Sequence, residues 1–216
     1  MTTGDIEFLV GEKAILEALR TERAFNLLVK RVKIPEGVEV SIEDKKVTVK
    51  GKKGTITKDF SHVKNVYIFK LYDEVVVAAK VTNKNEKKPV ATVATKIFKI
   101  IEGVQREYIY KHKVVFSHFP IRVKIEGKKI IVENFIGRKD KIVIPIYGKD
   151  TKVEVTYQPG SEIPDEIIIR GPDLEAVSQT SGAIHDKLKL RGKFRKDPRV
   201  FMDGIWRYEV TREEEV

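Results

Sequence analysis

VEVSIEDKKVTVKG (residues 38–51) and IRVKIEGKKIIVEN (residues 121–134) are one pattern written twice in one chain. Laid over each other with a shift of 83, Val38, Val40, Ile42, Val47 and Val49 fall on Ile121, Val123, Ile125, Ile130 and Val132. The turns Glu43-Asp44-Lys45-Lys46 and Glu126-Gly127-Lys128-Lys129 coincide too. Apolar alternation of period two, a tight turn with Asp or Gly as pivot and renewed alternation describe a β-hairpin. Duplication at this spacing predicts two similar domains rather than a solenoid.

The likeness extends past the hairpins. VKNVYIFKLY and DEVVVAAKVT read as strands, and NEKKPVATVATKIFKIIEGV then places Val90, Val93, Ala94, Ile97, Ile100, Ile101 and Val104 on one helical face. Pro89 suits the first turn of that helix and Gly103 its end. The second copy continues through strands KIVIPIY, KVEVTYQ and EIIIRG. Asp173 can then cap a helix that presents Leu174, Val177, Ile184 and Leu188 on one side. Strands first and a packing helix last predict an α+β fold: two tandem repeats of a small domain, each of antiparallel sheets with one helix. The expected divisions are an extension over 1–30 (a helix near GEKAILEALR plus a short strand), a first domain over 31–112 and a second over 113–210. An acidic end follows over 211–216. EYIYKHKVVFSHFPI is expected to join the two halves.

Composition narrows the function. The chain holds 42 basic and 32 acidic residues, a net charge of +10, which favours a polyanionic partner, with nucleic acid the commonest. Cysteine is absent, so thiolate chemistry, disulfides and zinc-ribbon sites are excluded. His62, His112, His118 and His185 fall at no metal-ligand spacing, and no metal or other cofactor is expected. No apolar run reaches bilayer length and Met1–Asp5 opens no signal peptide, so no membrane partner and a cytoplasmic location are expected. Gly51-Lys52-Lys53-Gly54-Thr55 lacks phosphate-loop spacing and bridges two strands. Ser117-His118 is a neighbour pair without triad spacing, and no carboxylate pair is set for acid–base work. No active site emerges, and no enzyme is expected.

Binding is better supported. In KLKLRGKFRKDPR, Lys187, Lys189, Arg191, Lys193 and Arg195 alternate with Leu188, Leu190 and Phe194, and Lys196 and Arg199 follow. Extended, such a segment offers one cationic side to a phosphate backbone, on which arginine can take two oxygens at once. The return to apolar alternation in PRVFMDGIWRYEV predicts an ordered hairpin turning at Asp203-Gly204, with Phe201, Ile205 and Trp206 as packing residues.

The duplicated unit together with KVVFSHFPIRVKI, IVENFIGRK and KDPRVFMDGIW resembles the universal family of large-subunit ribosomal protein six, in its archaeal and eukaryotic branch. The likeness runs from about Val32 to Val210. It implies two copies of a small α+β domain in a structural, non-catalytic protein. The implied partners are large-subunit ribosomal RNA beside the sarcin–ricin loop, neighbouring ribosomal proteins and translational GTPases docking transiently nearby, with the second domain making most of the RNA contact. Carried over by position, RNA contacts are expected from the basic residues of Lys187 to Arg199, from Arg138 and Lys139 of ENFIGRK, and from His118 of SHFP. Asp203 and Gly204 match the family's turn; Gln179 and Thr180 match its helix motif, with Ser178 in place of the usual glycine. The chain departs from the family in lacking a proline in KGKKG, in a more basic tail and in its first 30 residues. An RNA chaperone or translation factor acting off the ribosome is the alternative reading.

Overall fold

A computed structural model describes residues 27–80, 84–190, 197 and 199–213. Its chain contacts divide into two compact units, 1–102 and 103–216. The helix expected near residues 11–20 lies outside the described residues.

In the first unit β1 (Leu27–Lys33) leads into the hairpin of β2 (Glu39–Glu43) and β3 (Lys46–Gly51), which β4 (Gly54–Asp59) extends into a sheet ordered β2-β3-β4. The pairs Val40↔Val49 and Glu43↔Lys46 leave Asp44-Lys45 as a two-residue loop, and Asp44 takes a left-handed φ of 55°. Such loops demand positive φ, which is why Asp or Gly stands there. A second sheet, β1-β6-β5, adds β5 (Tyr67–Leu71) and β6 (Glu74–Lys80). The unbroken run Val75–Ala79 is at most 1% exposed throughout, so β6 is covered on both faces. Strand β1 begins before the expected start of the domain at 31, which falls inside it.

Helix α1 (Lys84–Gln105) buries Val90, Val93, Ala94, Ile97, Ile100, Ile101 and Val104, the face the periodicity predicts. It starts earlier than Pro89 implies, so the proline is the sixth helical residue rather than part of the first turn. Gly103 does not end the helix either, which runs two residues further. A Cβ at Gly103 would stand 1.9 Å from the Pro172 carbonyl oxygen and 2.9 Å from the Tyr108 ring. Glycine is there for a close backbone approach.

The second unit repeats the plan. β7 (Tyr108–Val115), β8 (Arg122–Glu126), β9 (Lys129–Glu133), β10 (Ile142–Pro145), β11 (Lys152–Tyr157) and β12 (Pro164–Gly171) precede α2 (Leu174–Leu188). The sheet β10-β9-β8 holds the second hairpin, with Gly127 at φ 58° where the first has Asp44. The stretch expected to join the halves is instead an interior strand: β7 lies between β12 and β13 (Gly204–Arg212) in the order β11-β12-β7-β13. The boundary expected between 112 and 113 falls within it. Tyr108, Tyr110, His112 and Val114 alternate inward along β7, with Lys111 and Lys113 between them on the other face. Helix α2 starts at the expected cap, where Asp173 Oδ1 accepts the Glu175 N–H at 3.0 Å. It lays Val177, Ile184 and Leu188 onto Ile144, Ile167, Ile169 and Ile205, closing one core between both sheets and the helix. Among the described residues no helix is long and apolar enough to cross a membrane.

Candidate nucleic-acid interface

Three sequence motifs of the second unit meet. Ser117 donates its backbone N–H to Asp203 Oδ1 at 3.1 Å, fastening SHFP to VFMDG across 86 residues of chain. Asn134 Nδ2 donates to the Pro120 carbonyl at 3.0 Å. The Phe119 ring stands 2.9 Å from where a Cβ of Gly137 would be, and Gly137 is at φ 70°. Asn134 and Ile136 are left-handed as well, at φ 57° and 55°. The short 3₁₀ turn Phe135–Gly137 is therefore a sharp corner pinned under Phe119. Exposed His118 sits between these anchors, and Arg138 and Lys139 leave the corner exposed.

Asp203 and Gly204 do not form the expected hairpin turn. Asp203 is buried by its bond to Ser117, and Gly204 is already the first residue of β13. The turn lies earlier, where Val200 and Phe201 donate N–H groups to the Asp197 carbonyl at 3.0 and 2.9 Å. Gly204 instead makes room for the Trp206 ring, which would lie 3.0 Å from its Cβ. Trp206 is half-buried, donates Nε1–H to the Met202 carbonyl at 2.8 Å and meets His185 of α2 edge-on, ring centres 6.0 Å apart. A run of contacts thus leads from the end of α2 through Trp206 and Asp203 to Ser117, and through Phe119 to the ENFIG corner.

Of the expected basic strip, Lys187 occupies the last turn of α2 and Lys189 its C-cap, both exposed, while Leu188 is buried and Leu190 packs on the core. The strip expected to be extended thus starts on a helix end, where its cations oppose the negative end of the helix dipole. Arg191, Lys193, Arg195 and Lys196 lie outside the described residues. Arg199 is held by Asp197, which accepts from its Nε at 3.1 Å and Nη2 at 3.0 Å. Arg138 is held by Asp140 in the same manner, at 3.0 and 2.6 Å. Hydrogen bonds from these arginines keep both aspartates below the usual carboxylate range. Lys139, Lys187, Lys189 and His118 meet no carboxylate among the described residues.

Thr180 turns out to be structural. Its buried hydroxyl donates to the Ala176 carbonyl at 2.8 Å and accepts the Tyr147 N–H at 3.0 Å, tying α2 to the end of β10. Beneath lies His112, buried, with Nε2 2.9 Å from Ser181 Oγ. Burial above all pushes its pKa down to about 4, so the ring is neutral near pH 7. Arg207, which no sequence expectation names, is exposed on β13 with its guanidinium 5.5 Å from the centre of the Tyr110 ring, and no local pattern singles it out. No cluster of three or more acidic or histidine side chains among the described residues could hold a metal ion.

Charge amount and charge placement differ. Residues 27–102 hold 17 basic and 9 acidic residues, and residues 103–216 hold 22 and 18, so the larger surplus is in the first unit. Exposed cations of the first unit lie on β1, the β3–β4 turn and α1. Those of the second include Lys187, Lys189, Arg138 and Lys139 along the run of contacts, and also Lys124, Lys128, Lys129, Lys149 and Lys152 on β8, the β8–β9 turn, β9, the β10–β11 loop and β11.

No family model matches the chain. It is similar to the large ribosomal subunit protein uL6 of Desulfurococcus amylolyticus, 42% identical over 182 residues that cover 83% of this chain and 92% of the relative. The uL6 protein of Staphylothermus marinus is 39% identical over 85% of this chain and 95% of its own length. That of Methanosarcina mazei is 37% identical over 83% and 95%.

Proposed function

We propose that this chain, which belongs to the uL6 family of large ribosomal subunit proteins in its archaeal branch, holds large-subunit ribosomal RNA with its second unit. It is a structural constituent of the large ribosomal subunit and not an enzyme. The finer reading places that contact beside the sarcin–ricin loop, close to where translational GTPases dock, in cytoplasmic ribosomes. That placement follows from the family resemblance, whereas one observation carries the RNA contact itself: Asp203 fastens Ser117, and along the same run of contacts lie Lys187, Lys189, His118 and Lys139, exposed and without carboxylate partners among the described residues.

The chemistry required is modest. Phosphate contacts fix position on a folded RNA without reading its sequence, and rigid mounting lowers the entropy lost when each side chain binds. The core beneath supplies that rigidity: Leu188 anchors Lys187 and Lys189, and the Phe119–Gly137 corner sets the direction of Lys139.

Crosslinking of lysines to RNA in assembled large subunits tests the reading. Attachment at Lys187, Lys189 and Lys139 to nucleotides of the sarcin–ricin region is expected. Attachment only through first-unit lysines would move the interface to the other domain. Stoichiometric sedimentation with large subunits in high salt distinguishes a resident protein from a factor acting off the ribosome.

A further inference from the structure

The sheet β11-β12-β7-β13 carries cations on both of its faces. On the face away from α2 three of the cations are ion-paired: Lys111 Nζ lies 2.8 Å from Glu209, Lys113 Nζ 2.9 Å from Asp165, and Arg170 3.6 Å from Glu154. On the α2 side, Arg207 opposes His112 in register, and its guanidinium carbon stands 5.5 Å from the centre of the Tyr110 ring. Arg212 lies likewise over Tyr108, at 5.7 Å. Arg207 is exposed and meets no carboxylate among the described residues.

A guanidinium laid on an aromatic ring is held without using its hydrogen-bond donors. Tyr110 is a core residue, 8% exposed, so the platform is fixed by packing. Across the strand, His112 is neutral near pH 7 and bound to Ser181 of α2, so it contributes no competing charge. One residue back along β13, Trp206 meets His185 in the last turn of α2, two residues before Lys187.

We propose that Arg207, seated on Tyr110 at the seam between β13 and α2, is a phosphate-binding arginine that takes an RNA phosphodiester through its free fork of donors. The proposal rests on the RNA reading above and adds to it a contact on β13, outside the Lys187–Arg199 segment. Arginine can also serve simply as an apolar cover for a ring, and the experiment separates the two roles.

The full-length chain is titrated with deproteinised large-subunit ribosomal RNA over a series of potassium chloride concentrations, alongside Arg207→Met, Arg207→Lys and the triple variant Arg191→Ala/Lys193→Ala/Arg195→Ala. Arg207→Met keeps an unbranched stem over Tyr110 and removes the charge. It is expected to reduce the slope of log affinity against log salt by roughly 0.7–0.9, one phosphate contact, with an unchanged unfolding midpoint. Arg207→Lys keeps the slope and binds severalfold more weakly, because a point charge replaces the fork. Unchanged slope in Arg207→Met, with a flattened slope in the triple variant, leaves RNA binding standing and reduces Arg207 to a ring cover. Should Arg207→Met fail to fold, Arg207→Lys decides, and affinity equal to wild type overturns the proposal. Wild-type binding without salt dependence removes both readings together.

Discussion

Lowering the pH should weaken the second unit through one residue, His112. Its ring is buried in β7 with Ser181 of α2 on Nε2, Ile167 of β12 beside it and Arg207 of β13 opposite. Burial is the largest cause of its depressed pKa; backbone hydrogen bonds oppose the shift, and the Arg207 charge adds to it. The unfolded chain takes up this proton near 6.5, the folded chain only near about 4. Between those values the unfolded state binds more protons, so the stability present above 6.5 is lost as pH falls toward 4. The gap corresponds to about 3 kcal/mol when complete. Glu133, Asp140 and Asp197, held low by partners, lose stability at lower pH in wild type and variant alike, so a difference measurement cancels them. The assay is denaturant unfolding of wild type and His112→Gln from pH 7.5 to 4. Fluorescence of Trp206, the single tryptophan, reports the second unit alone. Wild type should lose about 3 kcal/mol more than the variant across this range. Parallel curves would refute the claim that a neutral, buried ring is required there.

Three further outcomes follow from packing. Gly103→Ala should destabilise by about 1–3 kcal/mol, because the Pro172 carbonyl backbone occupies the methyl's place and outweighs the better helix propensity of alanine; an unfolding midpoint at or above wild type would contradict it. Asp203→Ala orphans the Ser117 N–H and should cost about 1–3 kcal/mol. Asp203→Asn, which retains an acceptor, should recover most of that in the same urea titration, and equal losses would show the bond to be incidental. Trp206→Ala should cost only about 1–2 kcal/mol, below the range for a fully buried ring, since Trp206 is half-buried and loses one hydrogen bond and the His185 contact. Thermal melts followed by circular dichroism would check it.

What the sequence made legible was governed by neighbours in the chain. The hairpins, the buried faces of both helices and the Asp173 cap depend on residues one to four apart, so periodicity finds them. Misreadings fell where a distant partner decides. Asp203-Gly204 carries the local signature of a turn, yet Ser117, 86 residues away, claims the aspartate and leaves the glycine to start a strand. Tyr108–Val115 passed for a connector because lysines and a histidine interrupt its apolar run, although the polar residues fall on alternate faces and His112 is satisfied inside the core. Gly103 has the ordinary look of a helix end, and only the Pro172 backbone explains it. Arg207 escaped notice because nothing local distinguishes a solvated arginine from one on a tyrosine built into another strand.

The two copies of the fold act as controls for each other. Their hairpins agree residue for residue, down to a left-handed pivot at Asp44 and Gly127, so that element serves the fold itself. They part company at two places among the described residues. The second copy inserts the Phe135–Gly137 corner between its second and third hairpin-sheet strands, and it adds β13 beside β7, where the first unit pairs β1 with β6 alone. Neither addition is needed to close an α+β core, because the first unit builds one without them. Both additions carry exposed cations, and Asp203, at the threshold of β13, grips the segment that packs on the corner. Those differences leave Lys139 and Arg207 exposed in the second unit, which is why the proposed RNA contact is sought there despite the larger net charge of the first.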